Sequence, residues 1–87
     1  VARKPLVRGD LIKVTWLDIQ EDPVGDPNGA RPSERVTYGL FWAQEVRGQV
    51  ECLVTTTTID NDSPHQSGYC VYPIGCILTM DVIKRAK

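Results

Sequence analysis

The sequence predicts one all-β domain of five short strands closed into a small barrel. Three observations carry this. Apolar and polar residues alternate with period two in short runs, the pattern of half-buried strands. Six prolines and seven glycines fall almost entirely between those runs and leave little room for helix. Four consecutive threonines, 55–58, favour an extended chain because a branched Cβ restricts χ1. A chain of 87 residues has room for one domain with a thin core.

Residues 1–8 form a basic arm with Pro5 and no period, expected to be flexible, and 9–87 form the barrel domain. Gly9-Asp10 reads as a turn into a first strand at 11–17, where Ile12, Val14 and Trp16 share a face. In the connection 18–34, Pro23, Gly25, Pro27, Gly29 and Pro32 exclude a helix, and Asn28-Gly29 signals a tight turn. The segment therefore reads as a long open hairpin, and structureless loops of this length in compact domains are usually either functional or disordered. The second strand, 35–46, sets Val36, Tyr38, Leu40 and Trp42 on one face and Thr37, Phe41 and Ala43 on the other. Gly39 inside it marks a bulge or sharp coil. After the Arg47-Gly48 turn comes a third strand at 49–58, then a polar loop at 60–67 that reads as an ordinary hairpin connection. A fourth strand, 68–72, stops at Pro73, and 73–76 form one tight turn of 3-10 type. The last strand is 77–83, with a short helix over 76–85 as the competing reading.

Five short strands, a long first loop and a proline turn before the last strand resemble a Src-homology-3-like barrel. An oligonucleotide-binding fold fits less well, since the loop 60–67 is too short and polar for the helix that fold usually carries. The tyrosine-rich first-strand motif and paired tryptophans of signalling Src-homology-3 domains are absent. The segments GDLIKVTWLDI at 9–19, 38–54 and YCVYPIGCI at 69–77 resemble short, mostly uncharacterised proteins of tailed bacteriophages and mobile elements. Those pair an opening strand ending in Trp-Leu-Asp with a closing isoleucine-proline-turn-isoleucine. Here Tyr72 precedes the proline, and Glu45-Val46-Arg47 replaces the usual acidic pair. The resemblance implies a small β-barrel of phage or mobile-gene origin, working in the cytoplasm of a bacterial host cell. It implies no activity.

The net charge of −1 gives no bulk attraction to nucleic acid or anionic lipid, and no apolar run is long enough to span a membrane. Charge is unevenly placed, however. Arg3, Lys4, Arg8, Lys84, Arg85 and Lys87 lie at the two ends, while Asp18, Glu21, Asp22, Asp26 and Glu34 crowd the first loop. The three cysteines are odd in number and match no metal spacing, so free thiols in a reducing compartment are the simplest reading. His65 is the only histidine and has no triad or metal partners in recognisable spacing. The Asp60-Asn61-Asp62 run lacks the glycine and glutamate of a calcium loop, where His65 and Val71 stand instead. The sequence thus predicts no catalytic residues, no metal and no cofactor.

The aromatic residues exceed what a thin core holds, so some are expected on a binding surface. The expected function is a non-enzymatic binding or assembly module, acting through self-association or a host protein. Tyr38, Trp42 and Tyr72 are the expected anchors, with Glu21, Asp22 and Asp26 setting partner charge. One alternative is a nucleic-acid binder using Arg3, Lys4, Arg8, Lys84 and Arg85 with Tyr72 as a stacking ring. A second alternative is a small-ligand protein whose pocket forms between subunits.

Overall fold

The structure is a computed structural model that describes residues 5–21 and 24–87. Five antiparallel strands, β1 (Leu11–Asp18), β2 (Ser33–Arg47), β3 (Val50–Thr56), β4 (Cys70–Pro73) and β5 (Ile77–Lys84), form one sheet in the order β4-β3-β2-β1-β5. A single 3-10 turn, Ile74–Cys76, joins β4 to β5 where the proline was expected to end a strand. The competing helix at the C-terminal end is not formed, and each strand lies within a few residues of its expected place.

The long β2 serves two neighbours. Its first half pairs with β1, Ser33 against Asp18 through Leu40 against Leu11, and its second half pairs with β3. Between them the register shifts at Phe41–Ala43, so Trp42 is the extra residue of a bulge. The bulge falls just after Gly39, which has its own packing reason to be glycine. A Cβ there would meet the Thr55 side chain at 3.0 Å.

The sheet bends strongly but is not closed. Two strands separate β1 from β4, so about 14 Å would lie between them in a flat sheet. Yet the Trp16 and Tyr72 rings, one on each, meet edge to face with centroids 5.7 Å apart. The expected closed barrel is corrected on this point: β4 pairs only with β3 and β5 only with β1. Four-residue β4 ends on a proline that cannot donate to a ladder, so side chains rather than hydrogen bonds join the two ends.

Inside the bend, Ile12, Val14, Leu53 and Tyr72 are buried, with Leu6, Trp16, Phe41, Ile74, Ile77 and Met80 packed around them. The sequence placed Ile12, Val14 and Trp16 on one face, and that face is the core. In β2 the inward ring is Phe41, while Val36 and Tyr38 face solvent. β3 is covered on both sides, since Cys52 to Thr56 are all buried. The outer side of β3 lies under the connection to β4, which the threonine run fastens. Thr57 Oγ1 donates to the Gly68 carbonyl at 3.0 Å, and the Thr58 and Ser67 hydroxyls meet at 2.9 Å.

Asp10 ties the two ends of the chain together. It is fully buried and its carboxylate accepts hydrogen bonds from the Ala86 N–H at 2.7 Å, the Val7 N–H at 3.0 Å and Arg85 Nη1 at 3.0 Å. The backbone N–H groups of Ala86 and Val7, and then Arg85, hold its pKa below the usual value against the opposing effect of desolvation. Arg85 also donates to the Pro5 carbonyl at 3.0 Å. The arm expected to be flexible at 1–8 is thus fastened to the sheet from Pro5 onward, while residues 1–4 lie outside the described residues.

Candidate functional site

The three expected aromatic anchors part company. Tyr72 is 5% exposed, packed on Trp16 beneath the 3-10 turn, and cannot serve as a surface anchor or a stacking ring. The expectation failed because the strand beside Pro73 sits at the sheet's end, where the bend turns its ring inward. Burial raises the Tyr72 pKa, and its hydroxyl, beside Thr55, Cys70 and Thr37, has no partner in hydrogen-bonding geometry among the described residues. Nearby, Trp16 Nε1 donates to Thr37 Oγ1 at 2.9 Å, which fixes the indole against the inward face of β2.

Trp42 is half-buried at the bulge. The Arg8 guanidinium lies 3.7 Å over its ring, and Arg8 Nε donates to the Trp42 carbonyl at 3.1 Å. Tyr38 is the anchor that is on the surface, 59% exposed on the outer face of β2 opposite Lys13. Glu21 and Asp26 are exposed, and Asp22 lies outside the described residues. Asp26 acts locally, since its Oδ1 accepts from the Asn28 N–H at 2.9 Å and holds the turn that Asn28-Gly29 signalled.

Of the basic residues of the nucleic-acid alternative, Arg8, Lys84 and Arg85 lie among the described residues. Arg3 and Lys4 lie outside the described residues. Arg8 is stacked on Trp42, and Arg85 is bound to Asp10 and Pro5. Lys84 is exposed at the end of β5. Sequence reasoning missed Asp10, although an aspartate at a strand entry is a known device for accepting backbone N–H bonds. It also missed Tyr69, an exposed ring beside the loop at 60–67.

β5 is one of the two edge strands, and the longer one. It runs eight residues, carries no proline, and exposes Leu78, Val82 and Ile83. Unpaired edges of this kind template pairing with another strand. The edge also carries a charge pattern. In the β1–β5 ladder Asp81 sits against Lys13 and Lys84 against Leu11, two positions apart on β1 and so on one face. The register shift between Leu11 and Ile12 makes this possible, because residues three apart in a regular strand point to opposite faces.

The three cysteines are unpaired thiols, and no group of three or more metal-binding side chains occurs among the described residues. No helix among them is long and apolar enough to cross a membrane. The fold and these features define an all-β protein with a bent five-stranded antiparallel sheet whose longer edge strand is β5. No family model, curated protein or solved structure matches the chain.

Proposed function

We propose that the protein is a non-enzymatic assembly module whose partner is a second copy of the chain, joined edge to edge through β5. The observation that carries this reading is the placement of Asp81 and Lys84 on one face of an unpaired apolar edge. An antiparallel copy centred on Val82, with Ile83 of each strand as the extra residue of its bulge, sets Asp81 of each chain against Lys84 of the other, twice by symmetry. Shifting the copy to centre on Asp81 sets like charges together, so charge selects the register. Opposed charges across strands contribute about 0.2–1 kcal/mol each, and pairing the open backbone groups adds to them.

A single strand pair is a small interface, so association in the micromolar range or weaker is expected. Pairing would also extend the outer face that carries Val36 and Tyr38 across both copies. The strand order, long first connection and 3-10 turn support a partly open Src-homology-3-like architecture. The sequence likeness to phage and mobile-element proteins supports an origin there.

The test is sedimentation over a concentration series. The native chain is expected to dimerise, Asp81→Lys to abolish the dimer, and Asp81→Lys with Lys84→Asp to restore it. A chain that stays monomeric at millimolar concentration contradicts the proposal.

A further inference from the structure

On the side of the molecule built from β2, β3 and the 57–69 connection lies a pocket of about 300 Å³. It shares no residue with the β5 edge. Its lining includes two aromatic residues, Trp42 and Tyr69, and two basic ones, Arg47 and His65, with no carboxylate. Glu45, outside the lining, pairs with Arg47, its Oε2 lying 3.7 Å from Arg47 Nε, so a bound anion shares that guanidinium with it.

The walls are set in advance. The Gln66 side chain spans the loop: its Oε1 accepts from the Asp60 N–H at 2.6 Å, and its Nε2 donates to the Asp60 and Ser63 carbonyls at 2.9 Å each. The Ser63 hydroxyl accepts from the His65 backbone N–H at 3.1 Å, which fixes the main chain there. Across the pocket, the Arg8 stack fixes Trp42. Tyr69 is 68% exposed, so nothing in the fold accounts for its ring. Fixed walls lower the ordering cost of binding.

We infer that this pocket binds a nucleotide unit, with the base against Tyr69 and Trp42 and the phosphate toward Arg47 and His65. Aromatic residues supply sequence-tolerant stacking and the basic pair supplies the anion contact. A volume of about 300 Å³ is at the small end for ligand pockets and fits one nucleotide rather than a larger cofactor. The same unit could be a free mononucleotide or one residue of a single strand.

The experiment titrates the full chain with a nucleoside monophosphate, its nucleoside and a short single strand of the same base, read by NMR chemical shifts. The nucleotide is expected to bind at least about tenfold more tightly than the nucleoside, which lacks the charged contacts. Tyr69→Ala should weaken nucleotide binding roughly five- to hundredfold, the range of a lost stacking contact. Arg47→Glu should weaken it by a similar factor. A strand that binds more tightly than the mononucleotide identifies nucleic acid as the source, and equal or weaker binding identifies the free nucleotide. Absence of binding by both at millimolar concentration, or binding indifferent to both Tyr69→Ala and Arg47→Glu, overturns the inference.

Discussion

At one edge of the sheet β4 runs for four residues and stops at Pro73, and at the other β5 runs for eight and contains no proline. β4 turns its large side chain inward, onto Trp16, and hands the chain to a 3-10 turn. β5 leaves Leu78, Val82 and Ile83 in solvent. A short, proline-ended strand is a common way to blunt an edge, whereas a long apolar one invites pairing. Both edge strands send side chains into the core, Tyr72 from β4 and Ile77 and Met80 from β5. The edges differ in length and in proline, so β5 offers the longer run of backbone for pairing.

Substitutions can break this contrast at either end. The largest expected effect is at the closed edge. Tyr72→Ala empties the core beneath the 3-10 turn and should cost about 3–5 kcal/mol in chemical denaturation. Tyr72→Phe should be neutral or stabilising there, because the hydroxyl has no partner to lose. Gly39→Val should cost about 1–3 kcal/mol by driving a side chain into Thr55, where the bend brings the strands close.

Asp10 fixes the root of the open edge. Its pKa is lowered in the folded state, so its contribution is present above the unfolded carboxylate value near 3.8 and is lost as pH falls through the folded value. Far-UV circular dichroism should therefore show Asp10→Asn to be less stable at neutral pH, with a shallower fall in stability below about pH 4. The smallest effect on the isolated chain is at β5 itself. Asp81→Lys sets a lysine against Lys13 in the β1–β5 ladder, so it should cost the monomer up to about 1 kcal/mol while acting mainly on association.

The strands were legible because period two, proline and glycine act locally. Ile12 and Val14 were placed in the core by alternation alone, and Pro73 marked the end of β4. What the sequence could not convey depends on curvature. Whether Tyr72 points in or out follows from how far the sheet bends, and that is set by contacts such as Gly39 with Thr55 between distant residues. The burial of β3 on both faces was hidden for the same reason, since alternation predicts one covered face and the 57–69 connection supplies the other. Asp10 was read as a turn residue because its partners, Ala86 and Arg85, lie at the far end of the chain. The bulge at Trp42 was half visible: Gly39 announced an irregularity, but the register shift falls two residues later.

The contrast between the edges is tested most directly by the charge exchange at β5. Sedimentation equilibrium of the native chain, Asp81→Lys, and Asp81→Lys with Lys84→Asp should give dimer, monomer and dimer in turn. A dimer that survives Asp81→Lys, or a double variant that stays monomeric, would contradict pairing through this edge in the Val82-centred register.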